Sequence, residues 1–348
     1  MKAFKQKFIQ ETKVKRFFAA FFVALMAFQT MAAWALNGYD DPQRASYYDA
    51  LKGKRVVFIP LGMGLDLTQA WAAEMKRQAD ALGYKFEVRD PNWSTEAGAQ
   101  ALTQAITEKP DILIVQNPDV QVYSHLLKRA QTEGIYVVQI NLKSVAQTEA
   151  FVGPDWVEIG KVLANLAVDK CSPAHGGNGK IAVTQLTLTA ASNVYQNKGI
   201  QDVLAQHPEM KVVSDQSADT DASKARAITA TVLQQNPDVC AVIGGWDGQD
   251  IGSAAAVKQA GKTGKVAVFT SGGGERSMCD KVKDGTFSSY ISYNAAGQGR
   301  DLNDMIRYLL QVKPAPEKTK AQLFSDLTVI TQANVNSSPA CYALKDIR

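Results

Sequence analysis

The sequence predicts an α/β protein built from two doubly wound parallel-sheet lobes. Short β-branched apolar runs, typical of strands buried on both faces, alternate with amphipathic stretches of roughly 10–15 residues that are typical of helices. This alternation stops at a Gly-rich loop at residues 175–179 and then starts again. A chain of 348 residues with 46% hydrophobic content is long enough for two domains, each with its own core.

The first set of elements follows residues 36–53, which are predicted to be a leader with a short helical turn. The apolar run at 56–59 ends at a proline and predicts the first strand. Apolar side chains then recur at helical spacing from Trp71 to Leu82, and Gly83 ends this helix. Strands are predicted at 56–59, 85–88, 112–115 and 136–140, and helices at 71–82, 97–107 and 123–133.

The second set repeats the pattern and predicts a second sheet. Its strands are expected at 181–183, 211–213, 239–243, 266–269 and 289–292, and its helices near 193–206, 222–235, 248–260 and 275–284. Ligands of open α/β sheets lie outside the carboxyl ends of the strands. Two lobes that face each other turn this edge into a cleft, so the loops after the strands are the candidate site.

The first 35 residues have the pattern of a secretory signal peptide. Basic residues at 13–16 precede an apolar stretch at 17–28, and Ala33-Trp34-Ala35 forms an A-x-A cleavage site. The apolar stretch is short of the ~20 residues that span a bilayer, which disfavours the alternative of a membrane anchor. We therefore expect export to the periplasm, with cleavage near Ala35.

The net charge argues against a nucleic-acid partner. The first 35 residues carry a net charge of +5, so the rest carries −1 of the total of +4. No dense Lys/Arg run follows Arg16, whereas nucleic-acid binders concentrate basic residues in a patch.

The strand-end loops contain amides, hydroxyls, carboxylates and aromatic rings, which suit a neutral polyhydroxylated molecule. Two plainer interpretations stay open: Asp66 or Thr68 caps a helix, and Trp246 seals the core of its own lobe. The candidate ligand-binding residues are Met63, Asp66, Leu67, Thr68, Trp93, Asn117, Asn141, Lys143, Asn193, Thr220, Trp246, Asp247, Ser271 and Tyr293.

No motif predicts catalysis, a metal site or a cofactor. His125, His175 and His207 lie far apart and show no zinc-ligand spacing. A nucleophile elbow, a Walker A loop and a complete dinucleotide fingerprint are missing from the sequence. We therefore expect a binding protein and not an enzyme.

Four cysteines in an exported chain suggest two disulfides, with three possible connectivities. We expect Cys171–Cys341 and Cys240–Cys279, with buried free thiols as the alternative.

The sequence from about Lys54 to Asn334 resembles the ribose-type (type I) periplasmic substrate-binding proteins of ABC importers. Each motif alone is weak, but their order and spacing are specific. The stretches that carry the resemblance are ADALGY at 79–84, DILIVQNPD at 111–119, GIYVV at 134–138, FVGPD at 151–155, NPDVCAV at 236–242, VKDGT at 282–286 and DLTVIT at 326–331.

The resemblance implies three crossover strands between the lobes, near residues 153, 293 and 324. It implies an N-terminal lobe of 54–152 plus 294–322 and a C-terminal lobe of 153–293 plus 323–348. The lobes of a monomer would close on a sugar or polyol by hinge motion, and the closed form would dock on an inner-membrane permease. The alternative is a binding protein that reports its ligand to a chemoreceptor or sensor kinase.

Several positions depart from the family pattern. Asn141 and Leu142 stand where the family often has Asp and Arg, and Asn193-Val194 replaces an expected Arg. Ser271, Trp246 and Tyr293 stand where Asp, Asn and Gln are usual. Charged hydrogen bonds contribute about 1.5–3 kcal/mol each, so a hexose held in the usual way is not expected. A different sugar, a sugar alcohol or a less polar small molecule fits these loops.

Overall fold

The computed structural model describes residues 42–347. Helix Pro42–Leu51 is the first helix of these residues and is longer than the short turn that was expected. Contacts within the chain separate residues 42–50 from a second unit that begins at Leu51. All strands of the described residues belong to this second unit. The predicted signal peptide and its cleavage site lie outside the described residues.

The first sheet has six parallel strands in the order β11-β5-β4-β3-β1-β2. Its central strands are fully buried because helices cover both faces, which explains their continuous apolar sequence. The strands are β1 Arg55–Ile59, β2 Lys85–Val88, β3 Ile112–Val115, β4 Tyr136–Ile140, β5 Ala150–Gly153 and β11 Ala321–Phe324.

The ends of the helices around this sheet coincide with residues that favour helix termini. Gly83 adopts the left-handed conformation after helix Asp66–Leu82, and Ser94 caps helix Thr95–Glu108 by accepting a hydrogen bond from Ala97 N. Helix Ala295–Val312, which the sequence analysis did not predict, packs against Asp66–Leu82. The remaining helix is Ser124–Thr132. This sheet and its helices are called the first lobe below.

The second sheet has the order β12-β10-β9-β8-β6-β7, and β12 runs antiparallel to β10 at the edge. Its strands are β6 Lys180–Gln185, β7 Lys211–Ser217, β8 Ala241–Gly244, β9 Ala267–Gly272, β10 Ser289–Ser292 and β12 Thr328–Ile330. Its helices are Trp156–Cys171, Ala191–Leu204, Ala222–Gln235, Asp247–Gln259 and Arg276–Lys283. This sheet and its helices are called the second lobe.

The two parallel-sheet lobes confirm the predicted fold class. The chain leaves the first sheet after β5, returns to it after β10, and leaves it again between β11 and β12. The short helix Leu344–Ile347 contacts helix Asp66–Leu82 of the first lobe, where Arg77 donates a hydrogen bond to Ile347 O.

The predicted disulfide pairing is wrong. Cys171 is bonded to Cys240, with a Cα–Cα distance of 5.7 Å, and Cys279 is bonded to Cys341, at 6.1 Å. Cys171 ends a helix that contacts β8, and Cys240 directly precedes that strand. Near the second bond, Arg276 N donates to Tyr342 O, which holds the C-terminal segment beside helix Arg276–Lys283. Tertiary packing, which cysteine order does not encode, therefore decides the pairing.

Candidate functional site

A cavity of about 470 Å³ lies at the carboxyl ends of the strands, between the two lobes. Its size falls within the usual range of small-molecule sites. It is lined by Leu61, Leu65, Leu67, Trp93, Thr95, Gln116, Pro118, Asn141, Leu142, Trp156, Leu186, Thr187, Ala190, Ser192, Asp219, Thr220, Trp246 and Tyr293.

Trp156 and Tyr293 form a fixed aromatic corner of the cavity. Their rings meet edge to face with centroids 5.4 Å apart, and both side chains are buried. The indole nitrogen of Trp156 donates to Asn141 O at 2.8 Å. The first residue of helix Trp156–Cys171 is therefore tied to the loop after β4, next to a connection between the lobes.

Trp93 stands on a strained loop after β2. Asn92 and Trp93 both have left-handed backbones, with φ of 48° and 67°. This conformation is uncommon for a bulky residue and is kept where the surroundings enforce it. Trp93 N donates to Leu61 O at 2.7 Å, and a Cβ on Gly62 would lie 2.7 Å from the Trp93 indole nitrogen. The loop thus holds a half-exposed ring at the cavity.

Trp246 occupies the matching loop of the second lobe, after β8. Its ring lies over Gly248, where an added Cβ would come within 2.3 Å of it. Its backbone nitrogen donates to the buried carboxylate of Asp250 at 3.1 Å. Trp246 is partly buried and lines the cavity, so the interpretation that it only seals the core is not needed.

Polar groups at the cavity are few, and several are engaged within the protein. The Thr187 and Thr220 hydroxyls bond each other at 3.0 Å, and Gln116 Oε1 accepts from Leu61 N. Asn141 is buried, and its amide group lies beside the Tyr293 hydroxyl. Its Nδ2 nevertheless meets the distance and angle criteria of a hydrogen bond with no group among the described residues. Asn141 is therefore the clearest polar side chain left for a ligand.

Asp219 is the one carboxylate in the cavity lining. It is exposed, and it receives hydrogen bonds from Lys224 Nζ at 2.8 Å and from Ser217 Oγ at 3.0 Å. These bonds lower the pKa of Asp219, so it is ionised and already paired.

The structure brings six of the predicted residues together at the cavity and leaves eight outside its lining. The six are Leu67, Trp93, Asn141, Thr220, Trp246 and Tyr293, and the eight are Met63, Asp66, Thr68, Asn117, Lys143, Asn193, Asp247 and Ser271.

Four of the eight make hydrogen bonds within their own lobe. The Thr68 hydroxyl donates to Gly62 O and Leu65 O. Asn117 Nδ2 donates to Gln139 and Leu142 O, Asn193 Oδ1 accepts from Leu186 N, and Ser271 Oγ donates to Gly245 O. These side chains shape the loops that carry the cavity.

Met63 and Asp66 lie near the cavity without lining it. Met63 belongs to a separate surface depression, and Asp66 is exposed in the first turn of its helix. Residue 65 occupies the cap position of that helix and its side chain makes no capping bond. The expected caps, Asp66 and Thr68, are therefore not used as such.

Lys143 lies in an aromatic cage. Its ammonium is 5.3 Å from the Phe151 ring centroid, 5.9 Å from that of Phe324 and 5.1 Å from that of Tyr195. Phe151 and Phe324 lie on strands of the first lobe, whereas Tyr195 lies on a helix of the second lobe. Lys143 therefore connects the lobes by cation–π contacts.

Asp247 is buried behind the cavity and is held by its neighbours. The Tyr290 hydroxyl donates to Asp247 Oδ2 at 2.9 Å, and the carboxylate of Glu275 lies close to the same hydroxyl. Burial, together with the charge of Glu275, raises the pKa of Asp247. Burial also raises the pKa of Glu275, and the charge of Asp66 adds to this effect.

Two contacts join the lobes on the cleft side. Val120 N, in the loop after β3, donates to Thr189 O at 3.2 Å. An added Cβ on Gly273 would lie 2.8 Å from Leu67 Cδ1. This arrangement encloses the cavity from both sides.

A second cavity, of about 350 Å³, lies at the opposite, amino end of the first sheet. Lys54 pairs with Asp111, and Lys109 with Glu133, so two of the three lysines in its lining are already paired. Among residues 42–347, we find no group of three or more His, Cys, Asp or Glu side chains placed to hold a metal ion.

Twelve cavity residues were not predicted from the sequence. Most are apolar or small residues of the same strand-end loops, whereas the residues predicted from the sequence are mainly polar or aromatic. They are Leu61, Leu65, Thr95, Gln116, Pro118, Leu142, Trp156, Leu186, Thr187, Ala190, Ser192 and Asp219.

Two α/β lobes that enclose one cavity at the carboxyl ends of both sheets define a two-lobed ligand-binding protein. Residues 56–314 match the family model of the periplasmic binding protein domain, and the chain belongs to this family. Across residues 42–347, the helices are too short or too polar to cross a membrane.

Relatives and solved structures agree with this family. The D-allose-binding periplasmic protein of Escherichia coli is 33% identical over 179 residues, which cover 49% of this chain and 56% of that protein. The D-apiose import binding protein of Actinobacillus succinogenes is 23% identical over 206 residues, covering 58% and 64%. Both matches thus span less than two thirds of the relative.

The solved structure of an ABC transporter solute-binding protein from Agrobacterium vitis, bound with α-D-tagatopyranose, superimposes with a TM-score of 0.73. It is 24% identical, and the match covers 83% of this chain and 99% of that one. This likeness concerns the fold.

Proposed function

We propose that this protein captures a sugar or sugar-alcohol-like small molecule between its lobes and delivers it to an ABC importer. The observation that carries this proposal is the cavity framed by Trp93, Trp156, Trp246 and Tyr293 at the carboxyl ends of both sheets. Aromatic faces pack against the C–H surfaces of sugars, and polar groups fix their orientation. The named sugars of the relatives support the same ligand class.

The ligand-contacting residues in this proposal are the predicted residues that line the cavity, with Asn141 as the main hydrogen-bonding group. Lys143 and Asp247 act indirectly, through the contact between lobes and through Tyr290.

The lobes would be residues 54–152 plus 294–322 and residues 153–293 plus 323–348, and they would close on the ligand by hinge motion. The change of sheet between β11, which ends at Phe324, and β12, which begins at Thr328, supports a crossing close to the proposed boundary at residue 322. The protein would act as a monomer in the periplasm after cleavage near Ala35, and its closed form would dock on an inner-membrane permease.

A thermal-shift screen of the exported, processed protein tests the ligand class. The panel contains D-allose, D-ribose, D-apiose, other pentoses and hexoses, and sugar alcohols such as xylitol. A ligand present at 100 times its dissociation constant stabilises the fold by about 2.7 kcal/mol, which raises Tm by a few degrees. We expect one or more carbohydrates to give this rise.

Absence of a shift with every carbohydrate, together with a shift by another class of molecule, would contradict the proposed cargo. Small-angle scattering with and without the active ligand supplies a second check. A radius of gyration that does not decrease on binding would contradict closure.

A further inference from the structure

The cavity between the lobes has almost no charged side chains in its lining. None of the 18 side chains that line it within the described part of the chain is Lys, Arg, His or Glu. Its single carboxylate, Asp219, is engaged by Lys224 and Ser217. A charged ligand would lose its hydration and find no free counter-charge, so the cavity favours a neutral molecule.

Apolar surface dominates the lining. Eleven of the 18 residues are aliphatic or aromatic, and they come from both lobes. The leucines and proline among them are Leu61, Leu65, Leu67, Pro118, Leu142 and Leu186. A ligand hydroxyl that faces such surface loses its bonds to water without replacement.

The aromatic rings are positioned by the protein itself. The left-handed backbone at Asn92 and Trp93 fixes one ring, and the contact with Gly248 fixes the Trp246 ring. The Trp156 indole is held by Asn141 O. Rings held in place in this way lose little conformational freedom on binding, which favours a ligand with an apolar face.

The supply of hydrogen bonds is small. Thr187 and Thr220 bond to each other, and Gln116 Oε1 is used by Leu61 N. Besides the buried amide nitrogen of Asn141, the lining offers the amide nitrogen of Gln116, two hydroxyls and two indole N–H groups, from Thr95, Ser192, Trp93 and Trp246. These groups are a minority of the lining, which favours a ligand with fewer hydroxyls than a free hexose.

From these observations we infer that the cavity selects a neutral ligand with an apolar or aromatic face and few hydroxyls, such as a deoxygenated or aryl-substituted sugar. This inference rests on the proposed function for the carbohydrate part of the ligand. It goes beyond that function by placing the free, fully hydroxylated sugars among the weaker ligands.

Calorimetry with two matched ligand series tests the inference on the processed full-length protein. One series is D-galactose, 6-deoxy-D-galactose, phenyl β-D-galactoside and D-galacturonate, and the other is D-ribose, 5-deoxy-D-ribose and phenyl β-D-riboside. We expect affinity to rise about tenfold from free to deoxy sugar and again to the phenyl glycoside in at least one series. Galacturonate is expected to bind at least 100-fold more weakly than galactose.

The two proposals fail in different ways. Tightest binding of a free sugar would overturn this inference and leave the proposed function standing. Binding of phenol or benzyl alcohol, added as probes, without binding of any glycoside would overturn the sugar cargo and support the apolar cavity. Failure of every member to bind at millimolar concentration would contradict both.

Variants provide a second measurement. Trp93→Ala and Trp246→Ala are each expected to reduce the preference for the phenyl glycoside over the free sugar by about tenfold. Tyr308→Ala, on an exposed position of helix Ala295–Val312 outside the cavity, is the matched control and should leave the preference unchanged. An unchanged preference in both tryptophan variants would overturn the inference.

Discussion

Buried carboxylates behind Trp246 show how single residues shape the cleft. Asp250 is completely buried, and its Oδ2 accepts hydrogen bonds from Thr270 Oγ1 at 2.5 Å and from Trp246 N. Its other oxygen has no partner within the described residues. Burial raises the pKa of Asp250 to about 7. The carboxyl group therefore changes its protonation state near neutral pH while it holds the Trp246 backbone.

This pKa predicts a pH dependence of stability. The folded state binds more protons than the unfolded state between about pH 4 and 7, so the contribution of Asp250 to the free energy of unfolding decreases as pH rises through this range. The slope is up to about 1.4 kcal/mol per pH unit and levels off above pH 7.

Asp250→Asn removes the titrating group and keeps its shape. Urea unfolding at several pH values should show the variant gaining stability relative to the natural protein as pH rises from 4 to 7. Asp280→Asn, at an exposed position, is the control and should run parallel to the natural protein. A constant difference between Asp250→Asn and the natural protein would contradict the prediction.

Gly248 is a second residue whose identity matters, because the Trp246 ring lies over it. Gly248→Ala places a methyl group where the ring lies and should displace it from the cavity. We expect ligand affinity to fall at least tenfold, with a change in Tm of only a few degrees. Gly64→Ala has open space around it and serves as the control. Equal affinities of the two variants would contradict the role of the ring.

At the scale of secondary-structure elements, two helices of the second lobe pack unusually close to each other. Helices Trp156–Cys171 and Ala191–Leu204 approach so closely that a Cβ on Gly160 would lie 1.9 Å from Gln196 O, and one on Gly199 would lie 2.0 Å from Val157 O. Backbone atoms cannot move aside as a flexible side chain can. Glycine is therefore required at both positions of this crossing.

Gly199→Ala should separate these helices and reduce the free energy of unfolding by about 1–3 kcal/mol or more, as overpacking does. Urea denaturation measures the change. Asn165→Ala, on the exposed face of Trp156–Cys171, is the control and is expected to be neutral. A fully stable Gly199→Ala protein would contradict the close approach.

The aromatic cage of Lys143 couples strands of one lobe to a helix of the other. A partly exposed cation–π contact contributes about 0.5–2 kcal/mol. Lys143→Met keeps the apolar stem and removes the charge, so it should weaken ligand binding about two- to tenfold by destabilising the closed arrangement. Titration calorimetry measures this effect.

Lys320→Met is the control for this charge. Lys320 and Lys143 line one surface depression, but the Lys320 ammonium donates a hydrogen bond to Gln147 O and does not contact the aromatic cage. The control should bind ligand like the natural protein. Equal weakening in both variants would show that general charge, and not the cage, matters.

At the scale of the molecule, both disulfides cross-link segments of the second lobe. They join residues separated by 69 and 62 positions. Bonds that close loops of this length stabilise a fold by about 2–4 kcal/mol, mainly by restricting the unfolded chain. The first lobe has no cysteine among its described residues, so no disulfide stabilises that part of the chain.

The double variant Cys279→Ala/Cys341→Ala should lower the free energy of unfolding by about 2–4 kcal/mol. Ligand affinity should change little, because neither cysteine lines the cavity. Unfolding of the natural protein with and without reductant is the comparison. Reduction breaks both disulfides, so it should lower the free energy of unfolding at least as much as the double variant does. A variant as stable as the oxidised protein would contradict the prediction.

The fold class and the position of the site could be predicted from the amino-acid sequence alone. Apolar runs such as Val56–Ile59 report burial on both faces, and parallel strands direct their following loops to one edge, so Trp93 and Trp246 could be assigned to the cleft. These predictions succeed because the burial pattern of a strand and the direction of the chain depend on residues that are adjacent in the sequence.

Tertiary structure decided which loop residues face the cavity and which cysteines pair. Thr68 lies in the first turn of helix Asp66–Leu82 and Ser271 lies near the end of β9, and the hydroxyls of both bond backbone carbonyls. Trp156 reaches the cavity from the first residue of a helix that was not predicted, and the Asn141 carbonyl orients its indole. Side-chain direction and the contact of distant elements depend on packing across the molecule, which local pattern does not encode.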